Sequence, residues 1–280
     1  MTPAPAQIII PAHNEGGYIV DCLASLLEQD HQGPVTTTVV ANGCTDDTVE
    51  RALAMAPQFA ARGWQLRVED LPQGGKVGAL NHGDHLADQS GTGPRIYLDA
   101  DIRMSRSLLR GIIAALETPE PRYAGGRLVV AQSPSWISRA YARFWQKLPF
   151  LRHGTTGAGL FAVNHAGRQR WGQFPGIISD DTFVRLNFSE AERLLVDQPY
   201  SWPIAEGFGT LVRVRRRQDN GVSEIAALYP QLLENQGHDS PSKPELTRLA
   251  LRDPVGFVVY ATVAVAVRIG KNNHDWARGR

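Results

Sequence analysis

The feature that most constrains this chain is a unit that recurs through its first half: a short apolar run, a polar loop, then apolar residues at helical spacing. Gln7–Ile10, Thr36–Ala41, Gln65–Glu69 and Arg95–Leu98 read as strands, the second rich in Thr and Val. Tyr18–Leu27, a helix capped by Thr45, Val77–Leu86 and Leu108–Leu116 read as helices. Strand–helix alternation at this spacing predicts a mostly parallel α/β sheet with helices on both faces. In such a sheet a ligand sits at the carboxyl ends of the strands, among the loops.

The second half is less regular. Tyr123–Val130 and Leu160–Val163 read as strands, Ile137–Leu148 as an aromatic-rich helix, Gly154–Gly159 as a Gly/Thr loop and Asp180–Phe188 as a helix. Beyond Pro203 the chain turns basic, with Arg213, Arg215, Arg216 and Arg217, and Gln236–Pro244 reads as a loop before the last helix.

Composition excludes several classes. Lys plus Arg number 29 and Asp plus Glu 28, a net charge of +1. No basic excess marks a dedicated nucleic-acid binder, so no nucleic-acid partner is expected. Hydrophobic residues at 42% with 20% charged fit a globular chain. Cys22 and Cys44 form no CxxC pair, which removes a zinc ribbon or thioredoxin motif, and two core thiols suit a reducing compartment. The first residues carry no basic region followed by an apolar one, so no secretory signal is expected and the location is read as cytoplasmic. Val255–Val267 is the most apolar stretch, shorter than the ~17–25 residues of a spanning helix. Residues 254–268 are therefore read as core, as a homodimer contact, or as a peripheral contact with the inner face of the cell membrane.

The sharpest chemical signal is Tyr97-Leu98-Asp99-Ala100-Asp101, two carboxylates two residues apart after an apolar strand. In extended backbone, residues i and i+2 point to one side, so both are expected to face one cation. Mg²⁺ and Mn²⁺ take such hard oxygen ligands together with substrate phosphates. The competing role is capping of the helix that follows.

Around this motif lie Ile8-Ile9-Ile10-Pro11-Ala12-His13-Asn14-Glu15, Val39-Val40-Ala41-Asn42-Gly43, Gly74-Gly75-Lys76-Val77-Gly78-Ala79-Leu80-Asn81, Gly154–Asn164 and Ser179-Asp180-Asp181-Thr182. In kind and order these resemble the family 2 glycosyltransferases, of the nucleotide-diphospho-sugar transferase superfamily, over roughly residues 7–221. The resemblance implies a GT-A, Rossmann-like catalytic domain over 1–221. Its nucleotide-binding half is expected at about 1–102 and its acceptor half at about 103–221, followed by a C-terminal helical extension over 222–280. It implies an inverting, metal-dependent hexosyltransferase-like enzyme of polysaccharide or glycolipid biosynthesis. A nucleotide-diphosphate sugar is the donor, and a hydroxyl on a glycan, lipid or small molecule the acceptor.

By the same resemblance Pro11, Ala12, Asn14 and Glu15 hold the base and ribose. Ala41 stands where the family usually has an Asp, with Asn42 as the hydrogen-bonding substitute. Lys76, flanked by glycines at a helix start, acts as a point charge on the diphosphate. Asp99, Ala100 and Asp101 are the DXD motif, with Asp99 and Asp101 holding Mn²⁺ or Mg²⁺. Gly157 and Gly159 run along the donor sugar. Asp181 is the general base with Asp180 as support or as the base itself, and Asp46 and Asp47 cap a helix.

Arg216 and Arg217 either hold the diphosphate or form a solvated or lipid-facing basic patch. His238 is a surface residue or a distal metal ligand. No QxxRW string follows the arginines, which argues for non-processive transfer. Two alternatives stand: a catalytically silent nucleotide-sugar-binding partner, and a sugar-nucleotide pyrophosphorylase, whose Gly-rich loop ending in Arg is missing near Pro11.

Overall fold

The computed structural model describes residues 5–237 and 241–269, the side chain of His153 excepted; His238 and residues 270–280 lie outside the described residues. At its centre is β1 (Ala6–Ala12), buried along its whole length. β2 (Val35–Asn42) pairs with it in parallel on one side and β4 (Arg95–Leu98) in parallel on the other, while β3 (Gln65–Leu71) extends the sheet beyond β2. The chain thus builds outward through β2 and β3, then returns across α4 (Lys76–Gln89) to start again at β4. The order reverses between β1 and β4, and in an open α/β sheet the crevice at that reversal is where ligands enter.

A strand covered on both faces must be apolar throughout, which is why Ile8-Ile9-Ile10 reads as an unbroken run. Ile8 and Ile10 point into one cluster with Leu23 and Leu26 of α1 (Ile19–Leu27), whereas Ile9 points into a second cluster with Leu80 of α4 and Tyr97. The period of two along a strand separates the two cores.

The sheet has eight strands in the order β3-β2-β1-β4-β7-β6-β8-β5. Its first half is parallel and its second half mixed. β7 (Leu160–Val163) runs antiparallel to β4 and to β6 (Tyr123–Val130), β8 (Arg193–Trp202) runs parallel to β6, and β5 (Arg103–Met104) closes the edge antiparallel to β8. The sequence pattern does not announce β8. Pro199 interrupts it, and the register shifts between Gly126 and Arg127 where Arg127 pairs with Pro199.

The helix expected from Thr45 is two short ones, α2 (Thr48–Leu53) and α3 (Ala56–Ala61), with Asp47 at the first cap position. α5 (Leu108–Leu116) lies as expected. α6 (Trp136–Trp145) ends earlier than expected and is followed by α7 (Pro149–His153), whose start suits a proline. α8 (His165–Arg168) and α9 (Asp180–Leu186) follow.

α10 (Phe208–Leu228) carries the arginines and runs uninterrupted through residues 221 and 222, so the helical extension shares a helix with the unit before it. The apolar tail is α12 (Pro254–Ile269), preceded by α11 (Lys243–Arg252). α12 packs on α6 through Phe144 with Phe257 and Tyr260, and through Tyr141 with Tyr260. Asp253, between the two helices, accepts a two-pronged bond from Arg143 at 2.8 Å on each oxygen, one from Lys147 at 3.0 Å and one from the Gly256 N–H at 3.0 Å. Among the described residues no helix is long and apolar enough to cross a membrane.

Candidate active site

At the carboxyl ends of β1 and β4, the starts of α4 and α9 and the loop before β7 converge on one cleft. Pro11, Lys76, Asp99, Gly157, Gly159, Asp180 and Asp181 line it, with Leu80, Tyr97, Leu98 and Phe161 as its apolar wall. Residues scattered over most of the sequence motifs therefore meet in one place.

Lys76 is the first residue of α4. Its Nζ lies 2.9 Å from Asp99 Oδ1 and 3.2 Å from Asp180 Oδ2. Burial opposes the charge on Lys76, but Asp180, Asp99 and Asp181 outweigh it and push its pKa above the usual lysine range, so it stays an ammonium. Asp180 is 5% exposed. Desolvation pushes its carboxyl up to about 6; Lys76 opposes that rise, while Asp181 and Asp99 add to it. The 3.2 Å contact of Asp180 Oδ2 with Lys76 is an ion pair. Three carboxylates against one ammonium leave the cleft with surplus negative charge, which a further cation would offset.

The two aspartates after β4 do not share an extended strand. β4 ends at Leu98, and the Asp99 carbonyl accepts the Ile102 N–H at 3.2 Å, closing a turn over residues 99–102. This corrects the expectation that strand alternation aims both side chains alike. Asp99 lines the cleft, and its N–H donates to the Gly159 carbonyl at 2.8 Å. Asp101 is half-buried on the turn beside it, and Ala100 is buried. Both carboxylates reach the same neighbour: burial pushes the Cys22 thiol up, and the charges of Asp101 and Asp99 push it further. Among the described residues no group of three or more His, Cys, Asp and Glu side chains is arranged to hold a metal ion.

Gly157 and Gly159 contribute backbone. Their φ values are 76° and 73°; a Cβ on Gly157 would sit 2.4 Å from the Tyr123 hydroxyl, and one on Gly159 2.6 Å from Ile102 Cδ1. Only glycine satisfies both the conformation and the space. On α9, Asp181 Oδ1 accepts the Thr182 N–H at 2.6 Å.

The loop after β1 is braced rather than open. Asn14, at φ 52°, accepts the N–H of Thr45 at 2.6 Å and of Asp46 at 3.3 Å, which fixes the neighbouring loop. The Glu15 N–H donates to Thr48 Oγ1 at 2.7 Å, and its carbonyl accepts the Tyr18 and Ile19 amides at the start of α1. Asn42, expected to face a base, is 3% exposed. Its NH₂ donates to the carbonyls of Ala12 at 2.8 Å and Val40 at 3.3 Å, and its Oδ1 accepts the Gly75 N–H at 2.9 Å. Asn42 is thus spent on joining the ends of β1 and β2 to the start of α4.

Neither Arg216 nor Arg217 is among the residues that line the cleft. Arg216 donates to the Ala266 carbonyl of α12 at 3.1 Å, and Arg215 to Asp219 at 2.9 Å. Helical phase turns this side of α10 toward α12.

Sequence reasoning did not find Tyr97, Phe161 or the buried charge beneath them. Asp84, 3% exposed, accepts Arg95 Nη1 at 2.8 Å and the Tyr97 hydroxyl at 2.7 Å on Oδ1, and Arg168 Nη2 at 2.8 Å on Oδ2. An arginine opening the buried strand Arg95–Leu98 was the available signal, because a buried guanidinium needs a carboxylate partner.

Comparison with known proteins bears on the fold and the family. Residues 142 long and covering 50% of the chain are 27% identical to an N-acetylglucosaminyltransferase of Azorhizobium caulinodans; the match spans 34% of that relative, about a third of its length. A mannosyltransferase from Pyrobaculum calidifontis in complex with GDP-Man and Mn²⁺ superposes with a TM-score of 0.57 at 19% identity, over 97% of this chain and 77% of that one. Residues 1–349 of S. aureus TarS in complex with UDP-GlcNAc give 0.52 at 16% identity, over 94% of this chain and 81% of that fragment. These likenesses establish the GT-A-like fold. Residues 7–171, more than half of the sequence, match the family described as Glycosyl transferase family 2, and the chain belongs to that family.

Proposed function

We propose that the cleft binds a nucleotide-diphosphate sugar and transfers the sugar, with inversion and one transfer per encounter, to an acceptor hydroxyl. The observation that carries this reading is the position of Lys76 between Asp99 and Asp180, which joins the end of β4 to the start of α9 across the cleft. Charge needed at a diphosphate and a carboxylate needed at an attacking hydroxyl thereby sit side by side.

Lys76, held charged, binds the diphosphate as a point charge and supports the departing negative charge. Asp181, lining the cleft and half-buried, takes the proton from the acceptor hydroxyl as the bond to the anomeric carbon forms and the bond to the diphosphate breaks. Asp180, committed to Lys76, is the supporting carboxylate. Pro11 and the braced loops of Asn14, Glu15 and Asn42 shape the base and ribose side.

A divalent ion fits the donor set: the carboxylates of Asp99 and Asp101 are hard oxygen ligands, and the cleft carries surplus negative charge. Asp99 and Asp101 would hold Mn²⁺ or Mg²⁺, which when bound offsets charge on the diphosphate. Residues 254–268 present an exposed apolar face, which supports the expected surface contact, a second copy or the cytoplasmic face of a membrane.

Titration calorimetry of UDP, GDP and dTDP with and without Mn²⁺, followed by product analysis with the matching sugar nucleotides, tests the proposal. GDP-Man and UDP-GlcNAc enter the screen because structures of the same fold hold them. Metal-dependent binding lost in Asp101→Ala, with turnover, supports transfer. Binding without turnover supports the silent-partner reading, and no binding by folded protein refutes both.

A further inference from the structure

α12 has two unlike sides. Val263 and Val267 are buried against α6 and α10. On the opposite side Val255, Val258, Val265 and Ile269 are 56%, 60%, 51% and 79% exposed. At 100° per residue these positions fall in one narrow stripe along the helix. Thr262 interrupts the stripe in sequence only: its hydroxyl donates back to the Val258 carbonyl at 2.7 Å, which leaves its methyl as the outward chemistry. Leu251, 79% exposed, lies near the end of α11, just before α12 begins. α6 runs opposite to α12, since Phe144 meets Phe257 and Tyr141 meets Tyr260, so Trp136, 62% exposed, stands toward the Ile269 end.

The charge around the stripe is one-sided. Exposed Arg248 and Arg252 lie at one end and exposed Arg268 at the other. The one carboxylate between them, Asp253, is buried and neutralised by Arg143 and Lys147. From Lys243 to Arg280 the sequence carries seven Lys or Arg against three Asp or Glu, a net +4 in a chain whose total is +1. The rest of the protein is correspondingly acidic.

We infer that the outer face of α11 and α12 docks on an anionic lipid surface, with the valine stripe and Trp136 in the interfacial layer and the arginines on the headgroups. An apolar stripe, an aromatic residue at its edge and basic flanks are what an in-plane helix needs for such a surface. A second copy of this chain would bring like charges together along the same stripe, which disfavours it. This inference rests on the surface contact named above and not on the transfer chemistry.

Flotation of the full chain with vesicles tests it, using phosphatidylcholine alone and phosphatidylcholine mixed with phosphatidylglycerol. The expected result is binding to the mixed vesicles only, weakened about tenfold or more in Val258→Glu/Val265→Glu and in Arg252→Glu/Arg268→Glu. Unchanged nucleotide binding confirms that each variant is folded. Failure of the wild type to bind the mixed vesicles, or binding unaffected by either pair of substitutions, overturns the inference. So does a concentration-dependent dimer that Val258→Glu/Val265→Glu abolishes, which would assign the stripe to a second copy. Loss of nucleotide turnover with intact vesicle binding would count against the transfer reading alone.

Discussion

Lys76 Nζ stands 3.2 Å from Asp180 Oδ2, so the first residue of α4 is tied by charge to the first residue of α9. Removing the ammonium leaves Asp99, Asp180 and Asp181 unopposed and takes a positive charge from the proposed diphosphate site. Lys76→Met is expected to weaken nucleotide-diphosphate binding by about 10- to 100-fold, the size of a lost charge-assisted hydrogen bond. Lys76→Arg is expected to restore little, because a planar fork does not replace a compact ammonium between two carboxylates. Calorimetric affinities for the diphosphate and the mononucleoside monophosphate separate the effect: the loss is expected to be larger for the diphosphate.

The raised pKa of Asp180 gives stability a definite pH slope. Its folded value is about 6, above the ordinary 3.8, so the native state binds the proton more tightly between those pH values. Stability from this group is fully present below about pH 4 and falls as pH rises through 6. Asp180→Asn, which never ionises, is expected to lack this slope. The stability of the wild type relative to the variant should fall by up to about 3 kcal/mol between pH 4 and 7, read by urea unfolding. A constant difference across that range would contradict the assignment.

Asp253 has the opposite sign. Its bond from Arg143 holds its carboxyl well below the usual range, burial opposes that effect, and Lys147 and the Gly256 N–H add to it. The stability it contributes is present above about pH 4 and is lost as pH falls below that. Asp253→Ala is expected to cost about 2–3 kcal/mol at pH 7, because it strands Arg143 and Lys147 and uncaps α12. Arg143 is half exposed, which keeps the loss below that of a fully buried pair. Hydrogen exchange is expected to rise in α12 before it rises in β1.

Gly157 has a positive φ, and a Cβ placed on it would sit 2.4 Å from the Tyr123 hydroxyl oxygen. Gly157→Ala is expected to cost about 2 kcal/mol and to lower turnover by displacing the loop beside Asp181. Tyr123→Phe removes the oxygen that the new methyl would strike, and the Tyr123 hydroxyl has no hydrogen-bond partner to lose. The double variant is therefore expected to recover part of the loss, and a double-mutant cycle on unfolding free energies measures the coupling.

Much of the first half was legible in the sequence because its determinants are local. An apolar run of four to seven residues, a glycine or asparagine turn and a helical period each act over a few residues, so Ile8–Ile10, Thr36–Ala41 and Leu108–Leu116 appear where their patterns lie. β8 escaped because its pairing with β6 is broken by a bulge where Arg127 meets Pro199, 72 residues apart, in a stretch with no strand-like alternation. The arginines of α10 were visible as a cluster, but their direction was not, since helical phase and the docking of α12 turn Arg216 to the Ala266 carbonyl.

What the sequence alone determined is the order of strands in the first half and the residues near their carboxyl ends: Pro11, Asn42 and the Asp99–Asp101 motif. Only the tertiary structure decided which way those residues point. Asn42 turns inward because the ends of β1 and β2 and the start of α4 meet around it, and its buried amide bonds a backbone group of each. Asp99 and Asp180 share one lysine because the return of the chain across α4 sets the carboxyl end of β4 beside the start of α9. Local pattern places a strand's end to within about two residues, whereas a side chain's partner depends on packing between segments that the sequence holds far apart.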